Sequence, residues 1–302
     1  MAFIDILGAP HAYELTPPPA SPSPVLVFIH GWLLSRNYWQ PLIDRLAPTY
    51  QCLTYDLRGF GDSQPQRDKA HKRLQLFDSQ LPDTNAAVGS SSKYTLAAYA
   101  QDLSMLLQQL GIDRAWLIGH SLGGSIALWG ASVASDRVKG VICLNAGGGI
   151  YIKEEFERFR AVGQQLVRQR PRWLSYLPLL DLLLTRSQVA RPIARRWGRQ
   201  RLIDFVVANP EAALRALLDS TTETEVIRLP QVVSQLTQPV YFIAGAKDRV
   251  MEPKYVRHLA SFHKLFQGCD ENVIEIPECG HMAMVEQPDA LDTQIRNIVM
   301  SH

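Results

Sequence analysis

The sequence predicts an α/β fold, in which a doubly wound, mostly parallel sheet carries a helical cap inserted between two of its strands. Short apolar, β-branched runs alternate with amphipathic helical stretches in the first and last parts of the chain. This alternation implies parallel pairing, because each helix returns the chain to the same edge of the sheet. Residues 149–229 instead contain several helical patterns and no convincing strand. The predicted domains are therefore a core of 1–148 and 230–302 and a cap of 149–229.

The composition is that of an ordinary water-soluble globular protein. Of the 302 residues, 46% are hydrophobic and 20% are charged, and the formal net charge of +2 gives no global attraction to nucleic acid. The four cysteines have neither metal-ligand spacing nor the pattern of a disulfide framework. The first residues lack a secretory pattern, and no uncharged apolar run reaches about 18 residues. We therefore expect a cytoplasmic protein with no metal and no cofactor.

The first part of the chain contains the leading strands of the predicted sheet. A Pro-rich stretch within residues 1–24 suits an outer hairpin, and Val-Leu-Val-Phe-Ile at 25–29 suits a strand buried on both faces. Helical spacing over 36–47 stops at a proline, and residues 52–56 form the next predicted strand. Residues 64–93 show no sustained periodicity, which is typical of a surface excursion.

The remaining elements follow from the same patterns. The predicted strands are 115–118, 141–144, 240–244 and 273–276. The predicted helices are 94–110, 121–134, 254–266 and 290–299 in the core, and 154–170, 173–184, 188–207 and 210–218 in the cap.

A Gly-His-Ser-Leu-Gly sequence at 119–123 lies between a predicted strand and a predicted helix. This is the G-x-S-x-G spacing, in which a strained turn exposes the serine hydroxyl at the edge of the sheet. Gly119 and Gly123 have no Cβ, so the strand and the helix can approach each other closely. The Leu122 N–H has no intrahelical partner and can hold an oxyanion. The pattern predicts Ser121 as a nucleophile, and the alternative is a Gly-rich turn with an incidental serine.

A serine nucleophile requires a base, and the base requires an orienting acid. In a doubly wound sheet such groups collect where strands end. Asp248 and His281 each follow a predicted strand, and with the serine they give the chain order nucleophile, acid, base. Asn145 follows another strand but carries no carboxylate. Glu278 and Glu286 flank His281 and are alternatives to Asp248 as the acid.

The second oxyanion donor is expected from the His-Gly-Trp turn after the strand at 25–29. Gly31 lets the backbone pass close to a substrate, and the Trp32 N–H would point at the oxyanion. We expect His30 to hold this loop by hydrogen bonds and not to act as a base. His120, although it precedes the serine, is expected to face away from the substrate side.

Five motifs together resemble the α/β-hydrolase fold superfamily, and in particular its single-chain serine hydrolases with a helical cap. They are His-Gly-Trp at 30–32, Asp-Leu-Arg-Gly-Phe-Gly-Asp-Ser at 56–63, Gly-His-Ser-Leu-Gly-Gly at 119–124, Gly-Ala-Lys-Asp at 245–248 and Gly-His-Met at 280–282. The roles that the resemblance implies are nucleophile for Ser121, base for His281, orienting acid for Asp248, and oxyanion donors for the N–H groups of Trp32 and Leu122. It also implies a structural role for the 56–63 loop. A serine nucleophile argues against the related haloalkane dehalogenases and epoxide hydrolases, which use aspartate.

The predicted cap has an unusual composition. Many arginines lie between Arg158 and Arg201, where Asp181 is the only acidic residue, and an apolar run with Trp and Tyr covers 173–184. Basic amphipathic segments of this kind suit an anionic membrane surface or a lipid-like substrate. The alternative is that the leucines close the cap over a pocket while the arginines form a solvated rim.

These observations predict a hydrolase that cleaves a carboxylic ester of an apolar or lipid-like small molecule through an acyl-enzyme. The same triad could instead serve hydrolysis of a C–C bond, an amide or a thioester, or cofactor-free peroxidase chemistry. A third interpretation is a ligand receptor that keeps the fold without catalysis. The complete triad argues against this interpretation. The predicted partners are a hydrophobic substrate and, through the basic cap, a membrane surface, with no nucleic acid.

Overall fold

The computed structural model describes residues 1–64, 92–148, 153–169, 180–266 and 272–302. Its strands are β1 (Ala2–Ile6), β2 (Ala9–Leu15), β3 (Val25–Ile29), β4 (Cys52–Tyr55), β5 (Ala115–His120), β6 (Val138–Leu144), β7 (Val240–Gly245) and β8 (Val273–Ile276). Its helices are α1 (Gln40–Leu46), α2 (Leu96–Gln109), α3 (Leu122–Val133), α4 (Lys153–Arg168), α5 (Leu180–Arg186), α6 (Arg195–Val207), α7 (Pro210–Ser220), α8 (Glu223–Gln235), α9 (Pro253–Ala260), α10 (Ala283–Glu286) and α11 (Pro288–Met300).

The eight strands form one sheet in the order β1-β2-β4-β3-β5-β6-β7-β8. The β1–β2 hairpin and the β2–β4 pair are antiparallel, and every other pair is parallel. This confirms the doubly wound, mostly parallel sheet. From β3 the chain first adds β4 on one side and then β5 on the other. The strand order therefore reverses between β3 and β5, and the crevice at such a reversal is where ligands bind in open α/β sheets.

The central strands are buried on both faces, which explains why their sequences are continuous apolar runs and not alternating ones. All five residues of β3 and all six of β5 are buried. Two apolar layers enclose the sheet. One includes Leu103 of α2 and Leu117 of β5, and the other includes Trp39, Ile118 of β5 and Ile295 of α11. The strand ends that carry the candidate site are thus fixed by a core on either side.

Within the described residues, the chain between β6 and β7 is helical, with α4 to α8 in succession. Helix α8 was not predicted and continues through the proposed 229/230 boundary of the cap. Pro230 lies inside it, and proline normally ends or kinks a helix. Its start carries a recognisable signal, because the Thr222 side chain accepts a hydrogen bond from the Glu225 N–H. Residues 65–91 of the predicted excursion and 173–179 of the predicted cap helix lie outside the described residues.

Candidate active site

The turn between β5 and α3 places Ser121 in a strained backbone conformation. Ser121 has φ 52° and ψ −119°, in the left-handed region that L side chains rarely adopt. Its N–H donates to the Leu144 carbonyl at 2.9 Å, and its own carbonyl accepts from the Gly124 N–H at 2.9 Å. A Cβ on Gly119 would overlap the Gly123 carbonyl, and one on Gly123 would overlap the backbone of β3. The two glycines are therefore required for strand and helix to meet at this angle.

A cavity of about 440 Å³ opens beside this turn. Trp32, Ser121, Leu122 and His281 contribute to its wall, and the helices between β6 and β7 contribute mainly apolar side chains. The residues from these helices are Val162, Leu166, Arg201, Phe205, Leu217, Ser220 and Thr221. The structure therefore brings the predicted nucleophile, the predicted base and both predicted oxyanion residues to one cavity that these helices also line.

His281 and Asp248 form a buried hydrogen-bonded pair next to this cavity. The distance from His281 Nδ1 to Asp248 Oδ2 is 2.8 Å. The other carboxylate oxygen, Oδ1, accepts from the N–H groups of Val250 at 2.8 Å and Met251 at 3.0 Å. Burial acts to raise the pKa of Asp248, but the neighbouring imidazole and these hydrogen bonds outweigh it and hold the pKa below its ordinary value. Asp248 is therefore ionised and places the imidazole proton on Nδ1.

Asn145 is a site residue that the sequence analysis missed. It directly follows β6, is fully buried and has φ 50°. Its Nδ2 donates to Asp248 Oδ2 at 2.8 Å and to the Gly280 carbonyl at 3.2 Å. The amide thus joins the loop after β7 to the loop after β8. A search for a carboxylate at this strand end had no reason to select an amide donor.

The two alternative acids have other partners. Glu286 accepts hydrogen bonds at Oε1 from the N–H groups of Ala190, Arg191 and Gly280, at 3.0 to 3.1 Å. It therefore ties the chain before α6 to the loop that carries His281. Glu278 is paired with Lys247 at 3.7 Å, and both side chains are exposed.

The loop after β3 is held from several directions. His30 Nε2 accepts from the Leu57 N–H at 2.9 Å, so its proton resides on Nδ1, which lies 2.8 Å from the Gly31 carbonyl oxygen. Burial lowers the pKa of His30, in keeping with a neutral ring. The Trp32 indole N–H donates to the Ala213 carbonyl of α7 at 2.8 Å. The structure thus gives His30 one hydrogen bond within its loop and one to the loop after β4, and it anchors Trp32 on the chain between β6 and β7.

His120 lies beside the base at the edge of the cavity and is 1% exposed. Its ring centroid lies 4.8 Å from that of His281, and its Nε2 is 2.8 Å from the His281 carbonyl oxygen. The ring occupies space left by the missing side chain of Gly31, where a Cβ would come 2.8 Å from His120 Nδ1. Burial, followed by the nearby His281, lowers the pKa of His120 well below its usual value. His120 is therefore a neutral ring that packs beside the base.

Backbone strain concentrates around this cavity. In the described ranges, five non-glycine residues have positive φ. Four of them lie at strand-end loops of the site, and they are Leu33, Ser121, Asn145 and Glu278. Each such conformation costs about 1–3 kcal/mol and persists only where the surroundings enforce it. The described residues contain no group of three or more His, Cys, Asp or Glu side chains placed to hold a metal ion.

A buried carboxyl connects helix α6 to the loop that follows β3. Asp204 Oδ2 accepts from the Ser35 hydroxyl at 2.9 Å, and Oδ1 accepts from Gln200 Nε2 at 2.9 Å. Burial raises the pKa of Asp204 to about 7, although both hydrogen bonds act in the opposite direction. The loop that carries Trp32 is therefore fastened through a group that titrates near neutral pH.

Asp204→Asn is expected to stabilise the protein relative to wild type as the pH rises. The folded pKa of about 7 lies above the unfolded value of about 3.9. Between these values only the unfolded chain releases the proton, so wild-type stability falls with rising pH by an amount approaching about 4 kcal/mol. Asparagine keeps an acceptor for Ser35 without that cost. Thermal melts at pH 5 and pH 8 measure the difference, which should grow in favour of the variant.

Asp181→Asn provides a comparison of opposite sign. The hydrogen bond from Arg195, at 2.8 Å, holds the pKa of Asp181 below its ordinary value. Its carboxylate therefore stabilises the fold above the unfolded pKa, and this contribution disappears as the pH falls. Asp181→Asn should be less stable than wild type and Asp204→Asn more stable, and both differences in the free energy of unfolding should become smaller as the pH falls. Two variants with a pH-independent difference from wild type would contradict this assignment.

The comparisons with known proteins agree with the fold. 2-Succinyl-6-hydroxy-2,4-cyclohexadiene-1-carboxylate synthase of Serratia proteamaculans is 27% identical over 283 residues, which cover 92% of this chain and 94% of that protein. Pimeloyl-(acyl-carrier protein) methyl ester esterase of Aliivibrio salmonicida is 27% identical over 238 residues, covering 78% and 79% respectively. The solved thermophilic esterase from Thermogutta terrifontis superimposes with a TM-score of 0.70 at 22% identity, covering 99% of this chain and 96% of that one.

A family model described as alpha/beta hydrolase fold matches residues 24–288, which span the sheet from before β3 to the start of α11. The match includes the serine turn, the helices between β6 and β7, and the loop of the histidine. Together with the eight-stranded sheet, it shows that this chain is a hydrolase of the α/β-hydrolase fold family.

Proposed function

We propose that this hydrolase cleaves carboxylic esters through an acyl-enzyme formed on Ser121. The observation that carries the proposal is the His281–Asp248 hydrogen bond of 2.8 Å beside a cavity that Ser121 also lines. With the proton fixed on Nδ1, the His281 Nε2 is the basic nitrogen that takes the serine proton. The cavity wall on the cap side is mainly apolar, which suits a substrate with a hydrophobic body.

The proposed reaction has two halves. Ser121 Oγ attacks the ester carbonyl carbon while His281 accepts its proton, and the N–H groups of Trp32 and Leu122 hold the resulting oxyanion. His281 then protonates the departing alcohol, and the acyl group remains on the serine. In the second half His281 removes a proton from water, and the water oxygen attacks the acyl carbon. The bond to Ser121 Oγ then breaks, His281 returns the proton to Oγ, and the acid is released.

Ester hydrolysis is preferred because the Aliivibrio relative is named a methyl ester esterase and the Thermogutta neighbour an esterase. The Serratia relative is named a synthase, and one fold can host several chemistries. C–C, amide or thioester hydrolysis, peroxidase chemistry and ligand binding without catalysis therefore stay as alternatives. Contact of the cap with a membrane and a cytoplasmic location also stay predictions. In the described ranges no helix is long and apolar enough to cross a bilayer.

Labelling by a fluorophosphonate tests the proposal directly. We expect intact-mass spectrometry to show a single adduct on the wild-type chain, because an activated serine reacts with this probe and an ordinary serine does not. The adduct should be absent from Ser121→Ala. It should persist in Ser125→Ala, which removes another serine that lines the same cavity. An unlabelled wild type, or an adduct that survives Ser121→Ala, would contradict the proposed nucleophile.

A further inference from the structure

Two arginines, Arg201 of α6 and Arg249, line the cavity with Ser121 and His281, and the proposed reaction uses neither. Two other arginines of α6 are already engaged. Arg195 is paired with Asp181 at 2.8 Å, and the guanidinium of Arg196 lies 4.8 Å from the Trp197 ring centroid. Arg201 differs from them in facing the space where a substrate must lie.

Among the described residues, no carboxylate comes within 4.0 Å of the Arg201 guanidinium. Its hydrogen-bond contact is Nη1 with the Met282 thioether sulfur at 3.9 Å. A guanidinium has five N–H donors and a thioether is a weak acceptor, so most of this donor capacity is unused. Burial lowers the pKa of Arg201, with the nearby Tyr38 and Asp204 opposing it, yet the group stays charged at neutral pH. A half-buried charge without a bonded counter-charge favours an anionic ligand.

Asp204, three residues along α6, does not supply that counter-charge firmly. Its two oxygens accept from Ser35 and Gln200, and its pKa is raised to about 7. The guanidinium of Arg249 also lines the cavity, but that side chain is exposed and solvent screens its charge. The wall therefore combines a mainly apolar surface with the half-buried positive charge of Arg201 and the exposed one of Arg249.

We propose that Arg201 binds a carboxylate on the substrate of Ser121, so that the preferred esters carry a second, anionic end. This inference rests on the proposed function. A guanidinium presents two parallel N–H donors that match the two oxygens of a carboxylate. One half-buried guanidinium balances one negative charge, which fits a carboxylate better than a doubly charged phosphate. The substrate class is thus a half-ester of a dicarboxylic acid, with an apolar chain between the ester and the acid.

Calorimetry on Ser121→Ala tests the binding step without turnover. The probes are monomethyl esters of linear dicarboxylic acids, from succinate to sebacate, and the dimethyl ester of each acid. We expect one or more monomethyl esters to bind about 10- to 100-fold more tightly than the matched dimethyl ester, as for a hydrogen bond to a charged group. Adding Arg201→Gln should remove that preference, and Arg201→Lys should restore part of it. Arg186→Gln, which changes an exposed arginine of α5, should preserve it.

Kinetics on the Ser121-containing enzyme give the second readout. The ratio of kcat/KM for the monomethyl ester to that for the dimethyl ester should fall by about 10- to 100-fold in Arg201→Gln. A Ser121→Ala protein with Arg201 intact that binds both esters equally overturns the carboxylate subsite, and so does an unchanged kcat/KM ratio in Arg201→Gln. If Ser121 is labelled but the ratio is unchanged, only this inference fails. If Arg201 governs binding but Ser121 is never labelled, only the proposed function fails.

Discussion

Ser121→Ala is expected to lower kcat for a p-nitrophenyl ester by about 10⁶-fold, as loss of the nucleophile does in other serine hydrolases. Without Oγ no acyl-enzyme forms, and His281 can only assist a direct attack by water. The Trp32 and Leu122 N–H groups would remain, so a residual rate above that of water is expected. Steady-state assays with the purified variant measure the loss. Turnover within about tenfold of wild type would exclude Ser121 as the nucleophile.

Melting temperatures show whether this variant is folded, because the strained backbone at residue 121 affects alanine and glycine differently. Alanine retains the Cβ, so φ 52° should cost Ser121→Ala about as much as it costs wild type. Glycine adopts positive φ readily, and Ser121→Gly should therefore melt above Ser121→Ala although both lack the nucleophile. That order separates loss of chemistry from loss of structure. Equal melting temperatures would argue that the turn is not strained.

The sequence was informative about the parts of the site that depend on short chain segments. A strand, a tight turn and a helix can be recognised from local patterning, and Ser121 follows from them directly. Asp248 and His281 could be selected because parallel strands bring their following loops to one edge of the sheet. The N–H groups of Trp32 and Leu122 follow from the same rule. Each inference needed only the order of strands and helices along the chain, and the observed sheet has the parallel arrangement that this order predicts.

The residues that the sequence analysis missed are placed by tertiary packing. Asn145 acts through a side-chain amide that bridges two loops, and no local pattern distinguishes it from a turn residue. The position of the His120 ring depends on the missing side chain of Gly31, which lies on a different strand-end loop. Asp204 and Arg201 belong to one basic helix, whose rotation about its axis decides which arginine enters the cavity. Composition indicated a basic cap but could not indicate which of its arginines lines the cavity.

Asp248→Asn is expected to lower kcat by about 10⁴-fold, and the hydrogen bonds of the carboxylate explain why an isosteric amide fails. In the structure Oδ2 receives donors from His281 and Asn145, and Oδ1 receives the N–H groups of Val250 and Met251. An amide NH₂ must replace one oxygen and so face N–H donors. If it faces His281, the imidazole must accept at Nδ1 and carry its proton on Nε2, where it can no longer act as a base.

The same arrangement of N–H donors predicts that Asp248→Asn is less stable than wild type, because a buried amide donor without an acceptor costs about 1–3 kcal/mol. Lower stability alone could also reduce activity, so the kinetic role needs its own test. A double-variant cycle supplies it. If Asp248 acts on Ser121 through His281, then Asp248→Asn should change the residual rate of Ser121→Ala very little, since residues of one catalytic unit are not additive. A further loss of about 10⁴-fold in the double variant would instead assign Asp248 a role that is independent of the serine.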